Sequence, residues 1–310
     1  MKKQNKVLVL FTTKKAYYFD RVDIKNVLIS GLFDEKLGSN SFWLKVFRKL
    51  NSPLTKLFYE KWFKEIDSYD KIIVMDTILQ YDANLLKNIS EKSRNCQKFI
   101  YSWNIVKDPV KYAQIRESAD KYGFKFYCYD LGNCKKYNMN FNTIMYDRKL
   151  KLPSVNIEYD ALLLGFLKDR KDKMLQLYNA MIDAELNPRF VVVTDEENNH
   201  LPFEIRKDYI DYYQYLEMLN KSRAILDIAQ CGQDGYSMRV MEAIFLNKKL
   251  ITTNRAVKDA NFYNSNNILV IELGKTSKEE IRTFFNKKFH KYSEEIISYY
   301  SFDTWINRFV

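Results

Sequence analysis

A chain of 310 residues, 46% of them hydrophobic and only eight of them glycine and five proline, can bury a large core. That excludes fibrous and low-complexity classes and makes two domains of roughly 150 residues each the default. The formal net charge of +11 suits an anionic partner (phosphates, nucleic acid or an anionic membrane), but it suits equally a chain merely rich in Lys, Asn, Ile and Tyr.

No run of about 18 apolar residues is present, so no membrane span is expected. The basic start, Met-Lys-Lys-Gln-Asn-Lys, is followed by Val7 to Thr12, too short an apolar run for a signal-peptide core. It reads instead as a first strand, and the expected location is the cytoplasm. Cys96, Cys128, Cys134 and Cys231 show no zinc or disulfide spacing and read as reduced thiols.

In chain order, Val7–Thr12, Lys71–Asp76, Lys98–Asn104 and Lys125–Asp130 are strand signals, mostly continuous apolar runs of the kind buried on both faces of a parallel sheet. Helices are expected over Asp82–Ser93 and Pro109–Tyr122. The tract from Arg148 to Glu158 loses periodicity and reads as a linker. A second alternation follows, with strands at Tyr159–Gly165, Pro188–Thr194, Ala224–Ile228, Lys249–Asn254 and Asn267–Ile271. Helices are expected at Lys171–Glu185, Tyr213–Lys221 and Met238–Leu246, and a last one over roughly Ser277–Arg308 that can cross back to brace the first domain.

The expected class is α/β, with two Rossmann-like domains (1–155 and 156–310) facing a cleft. In such sheets ligands bind at the carboxyl ends of the strands.

Several chemistries lack material. No Gly-x-Gly-x-x-Gly follows a strand and no Walker loop is present. No Asp-x-Asp occurs, and only His200 and His290 could serve a histidine triad or a zinc site. What remains is a phosphate-and-ribose site made of cations, backbone N–H groups and one or two acids.

The second half supplies three places for it. Gly165 follows a strand and is itself followed by Lys168, Arg170 and Lys171, which suit a diphosphate or form a solvated loop. The turn Gln233-Asp234-Gly235-Tyr236-Ser237 leads into a helix, with Ser237 as its expected N-cap, and strand, polar turn and helix N-terminus favour an anion. Glu242 either accepts the hydroxyls of a ribose or pairs with Arg239 on a wet helix face. Thr194, at another strand end, completes the candidate donor-binding set.

Asp234 and Glu242 bracket seven residues, which resembles the donor-nucleotide motif of GT-B glycosyltransferases, a Glu, seven residues and a second Glu; here Asp234 stands at the first position. The block Tyr212–Asn254, Asn261-Phe-Tyr-Asn-Ser-Asn-Asn-Ile268 and Ser301-Phe-Asp-Thr-Trp-Ile306 resemble bacterial glycosyltransferases of capsule, exopolysaccharide and lipopolysaccharide assembly. Tyr101-Ser-Trp-Asn104, Tyr129-Asp130 and Tyr137 do so more loosely.

The resemblance implies a GT-B fold, a nucleotide-diphosphate sugar donor, a growing and lipid-linked cell-surface glycan as acceptor, and no obligatory metal or cofactor. For an inverting transfer Asp76 is the expected base, with Asp130 next; both residue types also commonly cap helices or form turns.

The stretch Phe42–Lys64 holds six cations against one acid, Glu60, and seven aromatics (Phe42, Trp43, Phe47, Phe58, Tyr59, Trp62 and Phe63). Pro53 divides it into two short helices. It is expected to touch the inner face of the cell membrane, unless Trp43, Phe47 and Leu50 face the first domain's core. Two rival readings stand beside transfer. One is a degenerate transferase that binds a nucleotide or a partner without turnover, favoured by Asp234. The other is a nucleic-acid-binding protein, favoured by charge alone; it lacks any recognised module, and no nucleic-acid partner is expected.

Overall fold

The computed structural model describes residues 6–12, 21–38, 41–195 and 200–310. The chain divides into two compact units: Met1–Thr143 with Asp303–Val310, and Ile144–Phe302.

The described part of unit 1 runs β1 (Val7–Phe11), β2 (Val27–Gly31), α1 (Glu35–Gly38), α2 (Phe42–Lys49), β3 (Lys71–Met75), α3 (Leu85–Lys92), β4 (Gln97–Ser102), α4 (Pro109–Lys121), β5 (Phe124–Cys128), α5 (Leu131–Tyr137) and β6 (Asn140–Phe141). Its strands form a parallel sheet in the order β2-β1-β3-β4-β5-β6. Every residue of β1 and β3 is buried, as their continuous apolar runs require of central strands. Strand β2 is not among the sequence expectations. It is an edge strand with only Ser30 and Gly31 buried, so it carries neither a long apolar run nor a clean alternation.

Unit 2 runs β7 (Tyr159–Phe166), α6 (Lys171–Asp183), β8 (Pro188–Val193), β9 (Glu204–Arg206), α7 (Tyr212–Asn220), β10 (Ser222–Asp227), α8 (Met238–Phe245), β11 (Lys249–Thr252), β12 (Ile268–Val270), α9 (Lys278–Asn286), α10 (Glu294–Tyr300) and α11 (Phe302–Trp305), the last ending in unit 1. Its sheet, also parallel, has the order β12-β11-β10-β7-β8-β9. Leu163, Phe190, Val192, Leu226 and Ile251 of the sheet pack with Met174, Leu177 and Met181 of α6 and Phe284 and Phe285 of α9. The α/β class with two parallel sheets is the one the sequence implied.

In each sheet the chain reverses its direction of travel once beside the first strand. The reversal lies between β1 and β3 in unit 1 and between β7 and β10 in unit 2. At such points the connections diverge, opening a crevice at the carboxyl ends of the strands. Asp76 directly follows β3. Gly165 and Asp227 lie at the ends of β7 and β10.

Two expectations need correction. The single helix over Ser277–Arg308 is broken. Helix α9 stops at Asn286, where Lys287 turns extended (φ −64°, ψ 140°), and Ser293 caps a new helix. The break is held by a reciprocal pair: Asn267 Nδ2 donates to His290 O at 2.6 Å, and His290 N donates to Asn267 Oδ1 at 2.8 Å. The seven aromatics of Phe42–Lys64 also do not act as one surface. Tyr59 and Trp62 are buried, whereas Phe42 and Trp43 are 68% and 61% exposed.

The contact boundary between the units falls after Thr143, ahead of the 155 read from the sequence. Tyr146 and the return strand of chain at Ser301 pair in a parallel bridge inside unit 2, which draws the start of the aperiodic tract into that unit. The C-terminal residues are an integral part of unit 1. Trp305 and Phe309 are fully buried with ring centroids 4.7 Å apart, both edge-on to Tyr101. Lys71 Nζ donates to Ile306 O at 3.2 Å and to Phe309 O at 2.6 Å, so its buried ammonium is solvated by this tail.

Candidate functional site

Two arginines converge on the end of β7. Arg239, from the first turn of α8, donates through Nη2 to Leu164 O. Arg170, at the N-terminal boundary of α6, donates from Nη1 to Ile228 O at 3.1 Å and from Nη2 to Phe166 O at 2.7 Å. Together these bonds span the strand ends on both sides of the crevice between β7 and β10.

Glycine gives this arrangement room: a Cβ on Gly165 would lie 3.0 Å from Arg239 Nη2, a tight contact, and 3.7 Å from Arg170 Nη2, an ordinary one. Burial, and then the neighbouring Arg239 charge, hold the Arg170 guanidinium below its ordinary pKa. Its Nε is buried without a hydrogen-bond partner. Two guanidiniums held side by side and partly stripped of water repel each other, and a dianionic group placed against them would remove that repulsion.

The turn between β10 and α8 is tied to the same strand ends. Gln233 Nε2 donates to Gly235 O at 2.9 Å, and Asn254 Nδ2 donates to that oxygen at 3.1 Å. Ser237 has the extended backbone of an N-cap, yet its hydroxyl makes no cap bond. It donates instead to Asp227 Oδ1 at 2.8 Å, while Thr252 Oγ1 donates to Asp227 Oδ2 at 2.7 Å. This is a correction to the capping role expected of Ser237, and its cause is the buried Asp227 carboxylate, which needs donors more than the helix end does.

Tyr236 lies edge-on to Phe262 (5.0 Å), which lies edge-on to Tyr300 (5.4 Å), and Tyr300 Oη donates to Asn261 Oδ1 at 2.7 Å. Asp234 and Lys168 are exposed; Lys168 adopts a left-handed backbone (φ 45°) and sets its ammonium 5.9 Å from the Phe166 ring. Thr194, just past β8, donates its backbone N–H to Arg206 O at 2.9 Å.

Glu242 faces the interior. Tyr212 Oη donates to Oε1 at 3.0 Å and Tyr215 Oη donates to Oε2 at 2.6 Å, with Tyr146 Oη bonded in turn to Tyr212 Oη. Burial pushes its pKa up to about 7 against the pull of Tyr215, Arg239 and Tyr212. The salt bridge to Arg239 on a wet helix face does not form.

In unit 1 Asp76 opens a short 3-10 turn (Asp76–Ile78) at the crevice beside β1. Ser102 Oγ donates to Oδ2 at 2.6 Å; Oδ1 is buried and has no well-formed hydrogen bond, although the Thr77 and Trp103 amides lie near enough to favour its charged form. Desolvation wins over these and raises the carboxyl to about 6. Asp130 is fully buried and caps α5, its Oδ1 accepting from Asn133 N at 2.8 Å and Asn133 Nδ2 at 2.7 Å.

The structure thus brings together Gly165, Arg170 and Arg239, and links Gln233 to Gly235. It sets Glu242 among tyrosines. Sequence reasoning missed Asp227, Thr252, Asn254 and Ser102. An acid ending an apolar strand was a usable signal for Asp227; the others are neutral side chains that only the fold brings into range. Among the described residues no group of three or more His, Cys, Asp or Glu is placed to hold a metal.

No family model matches the chain, and no curated protein matches it. A solved alpha-glucosyltransferase, in complex with UDP and a 13-mer DNA containing a central A:G mismatch, aligns with TM-score 0.61 at 9% identity, covering 97% of this chain and 97% of that one. A second, with UDP and a 13-mer DNA containing a HMU base, aligns with TM-score 0.55 at 9% identity over 98% of this chain and 99% of that one. At this identity the likeness speaks for the fold: it is the α/β architecture with two Rossmann-like parallel sheets found in GT-B glycosyltransferases.

Proposed function

We propose that this protein transfers a glycosyl group from a nucleoside-diphosphate sugar to a cell-surface glycan carried on lipid, working at the inner face of the cell membrane. The observation that carries the donor half is the Arg170–Arg239 pair beside Gly165 at the carboxyl ends of β7 and β10. As the bond between the sugar C1 and the diphosphate oxygen breaks, negative charge collects on the leaving diphosphate. Fixed cations stabilise that charge without needing a metal. The resemblance of the Asp234–Glu242 block to donor-nucleotide motifs and the likeness to UDP-bound glucosyltransferases support the same half.

In this reading unit 1 supplies the base. Asp76, raised to about 6 and keeping Oδ1 out of any well-formed bond, is suited to accept the acceptor hydroxyl's proton as its oxygen bonds to the sugar C1. Glu242 acts by orienting: its tyrosine partners fix the first turns of α8, from which Arg239 projects. Asp130, committed to capping α5, is the weaker base candidate.

A nucleic-acid acceptor is a second reading, favoured by the DNA in both similar structures and by the net charge of +11. A degenerate binding module is a third, favoured by Asp234.

Thermal denaturation with a panel of nucleoside diphosphates and their sugars tests the donor site, since a ligand bound only by the folded state raises the melting temperature. A rise with at least one diphosphate, and release of that diphosphate from its sugar, is the expected outcome. No shift across the panel removes the reading; a shift without release or transfer favours the degenerate module.

A further inference from the structure

On unit 1 a groove of about 440 Å³ is lined by Lys45, Arg48, Lys49, Asn51, Gln80 and Tyr81, with no acid among its walls. The three cations stand at i, i+3 and i+4 on α2, and so share one helix face. Arg48 is fixed in place: its Nε donates to Tyr81 O at 3.1 Å and its guanidinium sits 4.8 Å from the Tyr81 ring centroid. Asp82, an acid next in sequence to the groove residue Tyr81, is buried and already accepts from Tyr59 Oη and from Asn84 N at 2.8 Å. The groove therefore presents net positive charge to whatever enters it.

Helix α2 is amphipathic in an inverted sense. Leu44 is its buried residue, whereas Phe42, Trp43 and Leu50, at its two ends, are 68%, 61% and 70% exposed. At ~100° per residue these three spread over an arc of about 100° and lie about 100° or more round from Leu44, with the cations on the flank between Leu44 and Phe42. The next element repeats the pattern. In the 3-10 turn Pro53–Phe58, Thr55 is buried while Leu54 and Leu57, which eclipse one another at i and i+3, are 45% and 65% exposed. Two consecutive short helices thus turn large apolar side chains outward, beside a cationic groove.

We infer that this face docks on an anionic phospholipid surface, with a headgroup phosphate in the Lys45–Arg48–Lys49 groove and Phe42, Trp43, Leu50, Leu54 and Leu57 in the interfacial layer. The inference rests on the lipid-linked acceptor of the proposed function and names the partner that acceptor requires. Cations and apolar side chains together match a phospholipid interface, where rings and leucines leave water while the cations meet phosphate. A nucleic acid would satisfy the cations and leave the apolar stripe wet.

Co-sedimentation of the full chain with vesicles of phosphatidylcholine mixed with phosphatidylglycerol, and of phosphatidylcholine alone, tests this. Two double variants, Lys45→Glu with Lys49→Glu and Trp43→Ser with Leu50→Ser, alter exposed side chains only. The protein should sediment with the anionic vesicles, more weakly as salt rises, and each double variant should lower partitioning by about tenfold or more. Binding of a nucleoside diphosphate should be unchanged in both.

Three results would overturn the inference: no preference for anionic vesicles, undiminished binding by either variant, or salt-sensitive binding to random duplex DNA that only the charge-reversed variant loses. Nucleotide binding separates the two ideas. A protein that binds a nucleoside diphosphate but no vesicle sinks the docking face alone, and one that binds anionic vesicles but no nucleotide sinks the donor reading alone.

Discussion

Arg239 occupies the space that a side chain at Gly165 would need: its Nη2 lies 3.0 Å from where a Cβ would stand. The glycine thus leaves room for the arginine's position, and a methyl group there requires the guanidinium to give by a few tenths of an ångström. The obstruction is the tip of a flexible side chain, so the fold tolerates the change better than the site does.

Gly165→Ala should therefore cost about 1 kcal/mol of stability, at the low end for a forced methyl group. It should weaken nucleoside-diphosphate binding by about tenfold as Arg239 moves away. Calorimetric titration with the diphosphate that raises the melting temperature most measures this. Wild-type affinity in the alanine variant would separate Gly165 from the donor site.

Arg239→Ala and Arg170→Ala should each weaken the same binding by about 1.5–3 kcal/mol, the range for a hydrogen bond to a charged group. The double variant should lose less than the sum, because removing one guanidinium relieves the repulsion felt by the other. Strict additivity in a double-mutant cycle would contradict a shared anion site.

Asp76→Asn should leave nucleotide affinity unchanged and lower the transfer rate by about 10²–10⁴-fold, as expected for loss of a general base. With the carboxyl raised to about 6, the wild-type rate should climb with pH through that region as the base sheds its proton. An unchanged rate in the asparagine variant would move the base elsewhere.

Glu242 predicts a pH dependence of stability. Burial raises it from 4.5 to about 7, so between these values the folded chain holds a proton that the unfolded chain has released. Stability is greatest below this window and falls as pH rises through it, by on the order of 3 kcal/mol. Asp76 adds a fall of the same sign between 3.8 and about 6. Glu242→Gln should flatten the upper part of the profile in urea denaturation measured across this range. The same slope in both proteins would mean that burial does not hold a proton on Glu242 in this range.

The sequence by itself determined the central strands and the fold class. Val7–Phe11, Ile72–Met75 and Ala224–Leu226 are apolar throughout, and a short continuous apolar run with helices on either side has few stable places other than the middle of a parallel sheet. It also determined the candidate positions at strand ends, Asp76, Gly165 and Arg170, because ligand sites in such sheets follow from connectivity.

Only the tertiary structure decided which partners those residues have. Glu242 reads as a helix acid beside Arg239, yet two tyrosines a helix away take its oxygens, and Ser237 reads as a cap yet serves Asp227. Hydrogen-bond partners separated by ten to thirty residues leave no local periodicity, and a buried carboxylate binds whatever donor the packing brings within reach. The exposure of Phe42 and Trp43 was one of two readings the sequence left open, since an aromatic on an amphipathic helix looks the same in sequence whether its stripe faces the core or the water; the packing of Leu44 decided it.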